Sequence, residues 1–213
     1  QWQYCKSGNA TGTTREPGMQ LVHGLTIMSR WDKSDFALLQ VKERIPDAYN
    51  VYMAGWDRSA APATNVVGIH HPSGDVKKIS TYIGPLVPGT WSEAPFRYHW
   101  QIPRWTRGIT EPGSSGSPIF NSRGLIVGHL HGGESSCSYP QGYDMYGAVA
   151  SDWGTSPLRS QRLRDFLNPS NLNVASLAGA RLNTLRGRVR IRRGKSGEVA
   201  LKPKTLPEVE ASA

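Results

Sequence analysis

The stretch Glu111-Pro-Gly-Ser-Ser-Gly-Ser-Pro118 decides how the chain is read, together with the residues downstream: Ile119-Phe120, a polar turn at Asn121-Ser-Arg-Gly124, and the apolar run Leu125-Ile-Val-Gly-His-Leu130. Glycines flank the central serines at Gly113 and Gly116, and glycine enters left-handed backbone without steric cost. A serine on such a turn projects its hydroxyl outward while nearby backbone N–H groups face the space where negative charge would develop. Acyl transfer needs that arrangement. Ser115 is therefore the candidate nucleophile, the N–H groups of Gly113 and Ser115 are the candidate oxyanion donors, and Ser114 and Ser117 are supporting positions. Taken alone, the hexapeptide fits an ordinary Gly/Ser turn between two strands equally well.

Outward from the loop, short apolar runs recur between turn-forming residues. Candidate strands lie at 19–28, 35–41, 50–54, 65–70, 76–83, 96–102, 118–120, 125–131 and 144–149, with Leu21, His23, Leu25 and Ile27 expected on one face of the first. The 23 glycines and 15 prolines suit many strands joined by tight turns. An all-β barrel or sandwich is expected. One helix is expected after Ser156: Ser156 caps it, Pro157 opens it, and Leu158, Leu163, Phe166 and Leu167 give it an apolar stripe before Pro169.

With 38% hydrophobic and 19% charged residues over 213 positions, the chain can bury a core, and no apolar run is long enough to cross a bilayer. The formal charge of +9 concentrates in residues 181–213, which carry +6, leaving the body mildly basic. The run Arg186-Gly-Arg-Val-Arg-Ile-Arg-Arg193 lacks the interleaved aromatics that stack bases, so no nucleic-acid partner is expected. His70 and His71 are neighbours, and adjacent strand residues point to opposite faces, so they do not suggest a metal site.

Several blocks together carry a resemblance: Ser34-Asp-Phe-Ala-Leu-Leu39, Ala54-Gly-Trp-Asp57, Ile69-His-His-Pro72, Thr110 through Ile119, Gly128-His-Leu-His-Gly-Gly-Glu-Ser-Ser-Cys137 and Gly142-Tyr-Asp-Met-Tyr-Gly147. In this order, over roughly residues 1–170, they resemble the bacterial lysyl endopeptidases. The resemblance implies a chymotrypsin-like double six-stranded β-barrel, its first barrel incomplete here, plus a C-terminal helix. Residues 1–170 would form a trypsin-like serine peptidase domain lacking its N-terminal part, and residues 171–213 a basic extension or linker.

By the same resemblance Ser115 is the catalytic nucleophile and Asp35 the carboxylate that orients the base. Asp144 lies at the floor of a substrate pocket, and His131 and Trp91 stack beside the active site. Position 109, where trypsin has its pocket carboxylate, is Ile109 and cannot attract a cation. Cleavage after Lys is implied, with Arg left open, and no cofactor or metal.

The base itself is missing. Of the six histidines only His23 precedes Asp35, and it lies in an expected strand rather than in the family's Ala-x-His-Cys setting. The preferred explanation is an N-terminally truncated peptidase, inactive as it stands. The alternative is a protease-like binding module without catalysis. Cys5 and Cys137 match family cysteines bonded to partners in the absent segment, so both are expected to lack partners. The complete protein is expected to be a secreted, extracellular bacterial monomer acting on proteins or peptides.

Overall fold

The computed structural model describes residues 20–92 and 97–182, with the backbone alone of residues 192–193 and 199–200. The strands are β1 (Leu25–Trp31), β2 (Phe36–Val41), β3 (Tyr52–Met53), β4 (Trp56–Asp57), β5 (Thr64–His70), β6 (Lys78–Pro85), β7 (Val87–Gly89), β8 (His99–Ile102), β9 (Pro118–Phe120), β10 (Ile126–Gly133), β11 (Asp144–Ala148), β12 (Ser176–Leu177) and β13 (Ala180–Arg181). Two short helices, α1 (Val149–Gly154) and α2 (Arg164–Leu167), complete the set. The fold is all-β, as the spacing of turn residues predicts. None of the described helices is long and apolar enough to cross a membrane.

The main sheet runs β6-β5-β9-β10-β11-β8-β7, with β4 and β12 attached beside β10. Its two edge strands, β6 and β7, are separated in the chain by Leu86 alone. One bent segment, residues 78–89, therefore pairs with β5 along its first part and with β8 along its second, and the sheet curls shut as a six-stranded antiparallel barrel. Closure removes the open edges that a flat sheet would expose. Leu86 sits at the bend, fully buried, and its N–H donates to the Ala63 carbonyl. Val66, Trp100, Ile102, Trp105, Ile119, Leu130 and Tyr146 fill the interior around it.

Strands β1 and β2 form a separate antiparallel hairpin. Here the expected apolar face is turned to solvent: Leu25 and Ile27 are 56% and 60% exposed, and His23 is exposed too. A register shift between Ile27 and Ser29 reverses the alternation, so that Ser29 is the residue buried, with its hydroxyl donating to the Arg162 carbonyl. Phe36 packs with Val149 and Leu163, and this small cluster fastens the hairpin to the barrel.

The expected continuous helix after Ser156 is broken. Residues Arg159–Gln161 form one 3-10 turn, Arg162 is extended, and α2 spans a single turn. Tertiary bonds outcompete the helical ladder here: Arg162 offers its carbonyl to Ser29 and its guanidinium to Asp165 and Pro157, while the Leu163 N–H donates to Asp152. Leu158, assigned to the apolar stripe, is 54% exposed. Farther on, β12 pairs with β4 and β13 with β3, so residues 176–181 run back along the body of the protein. The basic run at 186–193 lies almost wholly outside the described residues, where only the backbone pairing of Arg192–Arg193 with Val199–Ala200 is seen.

If closure depends on the bend at Leu86, then Leu86→Ala costs about 2–5 kcal/mol by leaving a cavity at the seam. Ile83→Ala, at a position 71% exposed on the same strand, shifts stability by less than about 0.5 kcal/mol. Paired denaturant titrations check both, and equal effects would contradict the closed barrel.

Candidate active site

The loop after Ile109 is held by its own backbone. The Ser114 N–H donates to the Glu111 carbonyl, the Ser117 N–H to the Ser114 carbonyl, and the Gly116 N–H to the Leu130 carbonyl at 2.7 Å. Leu130 answers with its own N–H to the Ser117 carbonyl at 2.8 Å. Two N–H groups are left out of this pattern. Those of Gly113 and Ser115 have no acceptor among the described residues. Gly113 sits at φ +94°, where an L side chain would be strained. The Ser115 side chain is exposed and Ser114, one residue earlier, is buried. The loop therefore presents one hydroxyl outward beside two unengaged N–H donors.

Strand β10 connects this loop to the other predicted residues. A bulge between Leu130 and Gly132 makes His131 the extra residue against β11, and bulges re-aim the side chain they carry. His131 Nε2 reaches within 3.6 Å of Asp35 Oδ2. Trp91 stacks on that imidazole, with centroids 3.8 Å apart and planes tilted by 20°. Asp35 stands in the tight turn between β1 and β2 at φ +60°, its side chain 52% exposed. Ser115, Asp35, His131 and Trp91 thus gather at one end of β10.

Asp144 begins β11 directly opposite Gly133 and is fully buried. Its Oδ2 accepts hydrogen bonds from Trp105 Nε1 at 2.6 Å and Thr110 Oγ1 at 2.9 Å. Its Oδ1 has no hydrogen-bond partner among the described residues. A Cβ on Gly133 would fall 2.2 Å from that oxygen, so only glycine leaves room beside it. Burial pushes the Asp144 carboxyl up to about 6, against the opposing pull of Trp105, Thr110 and Ser135. Ile109 is buried and offers no charge. Asp144 is the buried acid next to the Ser115 loop, linked to it through Thr110.

Several polar residues that the sequence did not single out support this arrangement. His99 Nε2 lies 2.9 Å from His131 Nδ1, so the two rings share a proton between them. Burial pushes His99 down to about 4 and lowers His131 as well, with Asp35 opposing the latter shift. His129 bonds to the fully buried Asp152 at 2.8 Å. His70, buried on β5, bonds to Ser114. Its neighbour His71 is exposed, as opposite faces require. Burial at alternate positions of β5 was the one available signal for His70. The His129–Asp152 pair joins distant segments and left none.

No group of His, Cys, Asp or Glu side chains suited to hold a metal occurs among the described residues. Cys137 is disulfide-bonded, which corrects the expectation that it lacks a partner, and Cys5 lies outside the described residues.

Comparison with known proteins gives the family. The family model described as lysyl endopeptidase, C-terminal domain, matches residues 1–147. The lysyl endopeptidase of Pseudomonas aeruginosa is 37% identical over 129 residues, which are 56% of this chain and 26% of that protein. The chain thus spans about a quarter of the length of this curated relative. Among solved structures, the active form of the Rv3671c protease of M. tuberculosis aligns with 58% of this chain and 53% of its own at 18% identity and TM-score 0.39. Its inactive form aligns with 58% and 60% at 19% identity and TM-score 0.37. The family match covers more than half of the chain and takes in the serine loop, Asp35 and Asp144, so this chain belongs to the lysyl endopeptidase family through that family's C-terminal domain.

Proposed function

We propose that this chain carries the nucleophile and the specificity pocket of a secreted bacterial serine endopeptidase that cleaves after lysine. The observation that carries the reading is Asp144: a fully buried carboxylate with one oxygen pinned by Trp105 and Thr110 and the other without a partner among the described residues. A single available oxygen suits the compact ammonium of lysine, a point charge, better than the two-pronged guanidinium of arginine. Lysine is therefore favoured over arginine.

In this reading the lysine side chain of the substrate reaches Asp144, which sets the following carbonyl against Ser115. The Ser115 hydroxyl attacks, its proton passes to a histidine oriented by Asp35, and the resulting oxyanion accepts from the N–H groups of Gly113 and Ser115. Collapse expels the amine and leaves an acyl-enzyme, which water hydrolyses by the reverse proton path. The Trp91–His131 stack flanks Asp35. None of the described histidines fills the place of the base: His23 and His71 are exposed, His70 and His99 are buried, His129 is bound to Asp152, and His131 is stacked on Trp91 and bonded to His99. The base is supplied from outside this chain, in agreement with the fraction of the relative that the chain spans.

Two results test the reading. In the full-length protein a fluorophosphonate labels Ser115, Ser115→Ala abolishes labelling, and the 213-residue chain alone shows no turnover of lysyl substrates. Robust turnover by the chain alone would place the base within it. For specificity, Asp144 is ionised above about pH 6 and protonated below it. Affinity for a lysine-like cation such as butylamine is therefore flat above pH 6 and falls about tenfold per pH unit beneath. Asp144→Asn removes that dependence and lowers kcat/KM for lysyl substrates about 100-fold, in line with roughly 3 kcal/mol for a charge-assisted contact. An unchanged lysine preference in that variant would refute the pocket.

A further inference from the structure

The buried strip beneath the serine loop is not used by the mechanism above, and its hydrogen bonds run in one determined direction. Ser80 Oγ donates to the Ile109 carbonyl at 2.7 Å, which spends its only proton. Toward His70 Nε2, 3.1 Å away, Ser80 can then only accept, so Nε2 carries the ring's proton. In the neutral ring His70 Nδ1 is then the acceptor, and Ser114 Oγ, 2.7 Å from it, is the donor. Ser114 Oγ in turn accepts from the Glu111 N–H at 3.4 Å. No charge is needed anywhere along this path.

The relay's position matters as much as its direction. It joins β5 (His70) and β6 (Ser80) to the serine loop at two points, the Ile109 carbonyl and the Ser114 hydroxyl. Between and beside these points lie Thr110, which bonds Asp144, and the N–H groups of Gly113 and Ser115. His70 and Ser114 are 2% and 1% exposed and Ser80 is fully buried, so water does not compete for these bonds. Gly108 packs against Ser80 so closely that a Cβ would fall 2.5 Å from its hydroxyl.

We propose that His70 is a positioning residue for hydrolysis at Ser115, acting through Ser114 and Ser80 to hold the loop that carries the oxyanion donors and the Thr110 prop of Asp144. This inference rests on the peptidase reading. The surroundings agree with an uncharged ring: burial, with His71 adding to it, lowers His70 to about 4. The charged residues nearest it in the fold are Lys78, its register partner on β6, and Asp75, which bridges to Lys78 at 3.5 Å, while the Glu111 carboxylate on the loop side is engaged by the Cys137 N–H. Protonation would turn Nδ1 into a donor and remove the acceptor that Ser114 requires.

The test uses the full-length protein with kcat counted per titrated active site, so that loss of folded enzyme does not enter. Ser114→Ala and His70→Leu are expected to lower kcat by about 10–100-fold with KM within about threefold, because the loosened donors act in the transition state. His70→Asn, whose amide oxygen can stand in for Nδ1, is expected to recover about tenfold of that loss. Should His70→Leu fail to fold, Ser114→Ala, which removes one oxygen, carries the test. Variants that keep kcat per site within about twofold, whatever their melting temperature, would overturn the inference while leaving the peptidase reading intact. A wild-type protein without activity would remove the peptidase reading and this inference together. Independently, long-range proton–nitrogen correlation spectra of the histidine-labelled chain should show His70 in the Nε2–H form and not titrating near about pH 6.5, and the opposite tautomer would overturn the relay.

Discussion

Four consecutive residues of β10 hold the geometry of the site. Leu130 exchanges backbone hydrogen bonds with the serine loop, and His131, bulged out of register, faces Asp35 and Trp91. Gly132 lies under Trp91, where a Cβ would come within 3.1 Å of the indole, and Gly133 leaves room for the second oxygen of Asp144. A strand with regular alternation could not address so many partners in so short a run. The bulge supplies the change of direction, and the two glycines supply the space. The barrel matters because it holds β10 between β9 and β11.

Burial governs the electrostatics of this end of the molecule. It raises Asp144 and lowers His70, His99 and His131, in each case favouring the neutral form. The consequences differ with the partners. His70 bonds to serine hydroxyls and His99 to His131, which itself faces Asp35, so each ring has at least one hydrogen-bond partner. Asp144 has one oxygen satisfied and one not, so it is neither a comfortable acid nor a comfortable anion. A cation entering beside Oδ1 relieves both problems, since it supplies the missing partner and stabilises the charge that burial penalises.

Most of the barrel was legible in the sequence, and so was the glycine-flanked turn that exposes Ser115. Asp35, Asp144, His131 and Trp91 were singled out by the resemblance alone, and the structure brings Asp35, His131 and Trp91 together. The residues that were missed depend on contacts between distant segments. His70 and Ser80 reach the supporting Ser114 and its loop only after β5 and β6 pair and the loop folds down, and His99 meets His131 across the width of the sheet. The helix after Ser156 failed for the same reason: its local signals were sound, but Ser29 and Asp152 take the carbonyl and N–H that the ladder needed. The first strand was misjudged because a bulge, invisible in apolar spacing, reverses its faces at Ser29.

The two sides of the site differ in how firmly they are built. The serine loop and Asp144 belong to a closed barrel and are bonded to its interior strands. Asp35 instead sits on a two-stranded hairpin, and such ribbons are marginal by themselves. Its hold on the barrel includes Phe36 against Val149 and Leu163, Trp31 against Tyr98, the buried Ser34 beside Gly147, and the Ser29 bond to Arg162. Leu25, Ile27 and Leu39 remain exposed on it. The serine loop and Asp144 are therefore held by bonds within the barrel, while the place of Asp35 follows from the contacts that seat the hairpin. The positions of Asp144 and Asp35 are thus set by separate groups of contacts, and only the first lies entirely within the barrel.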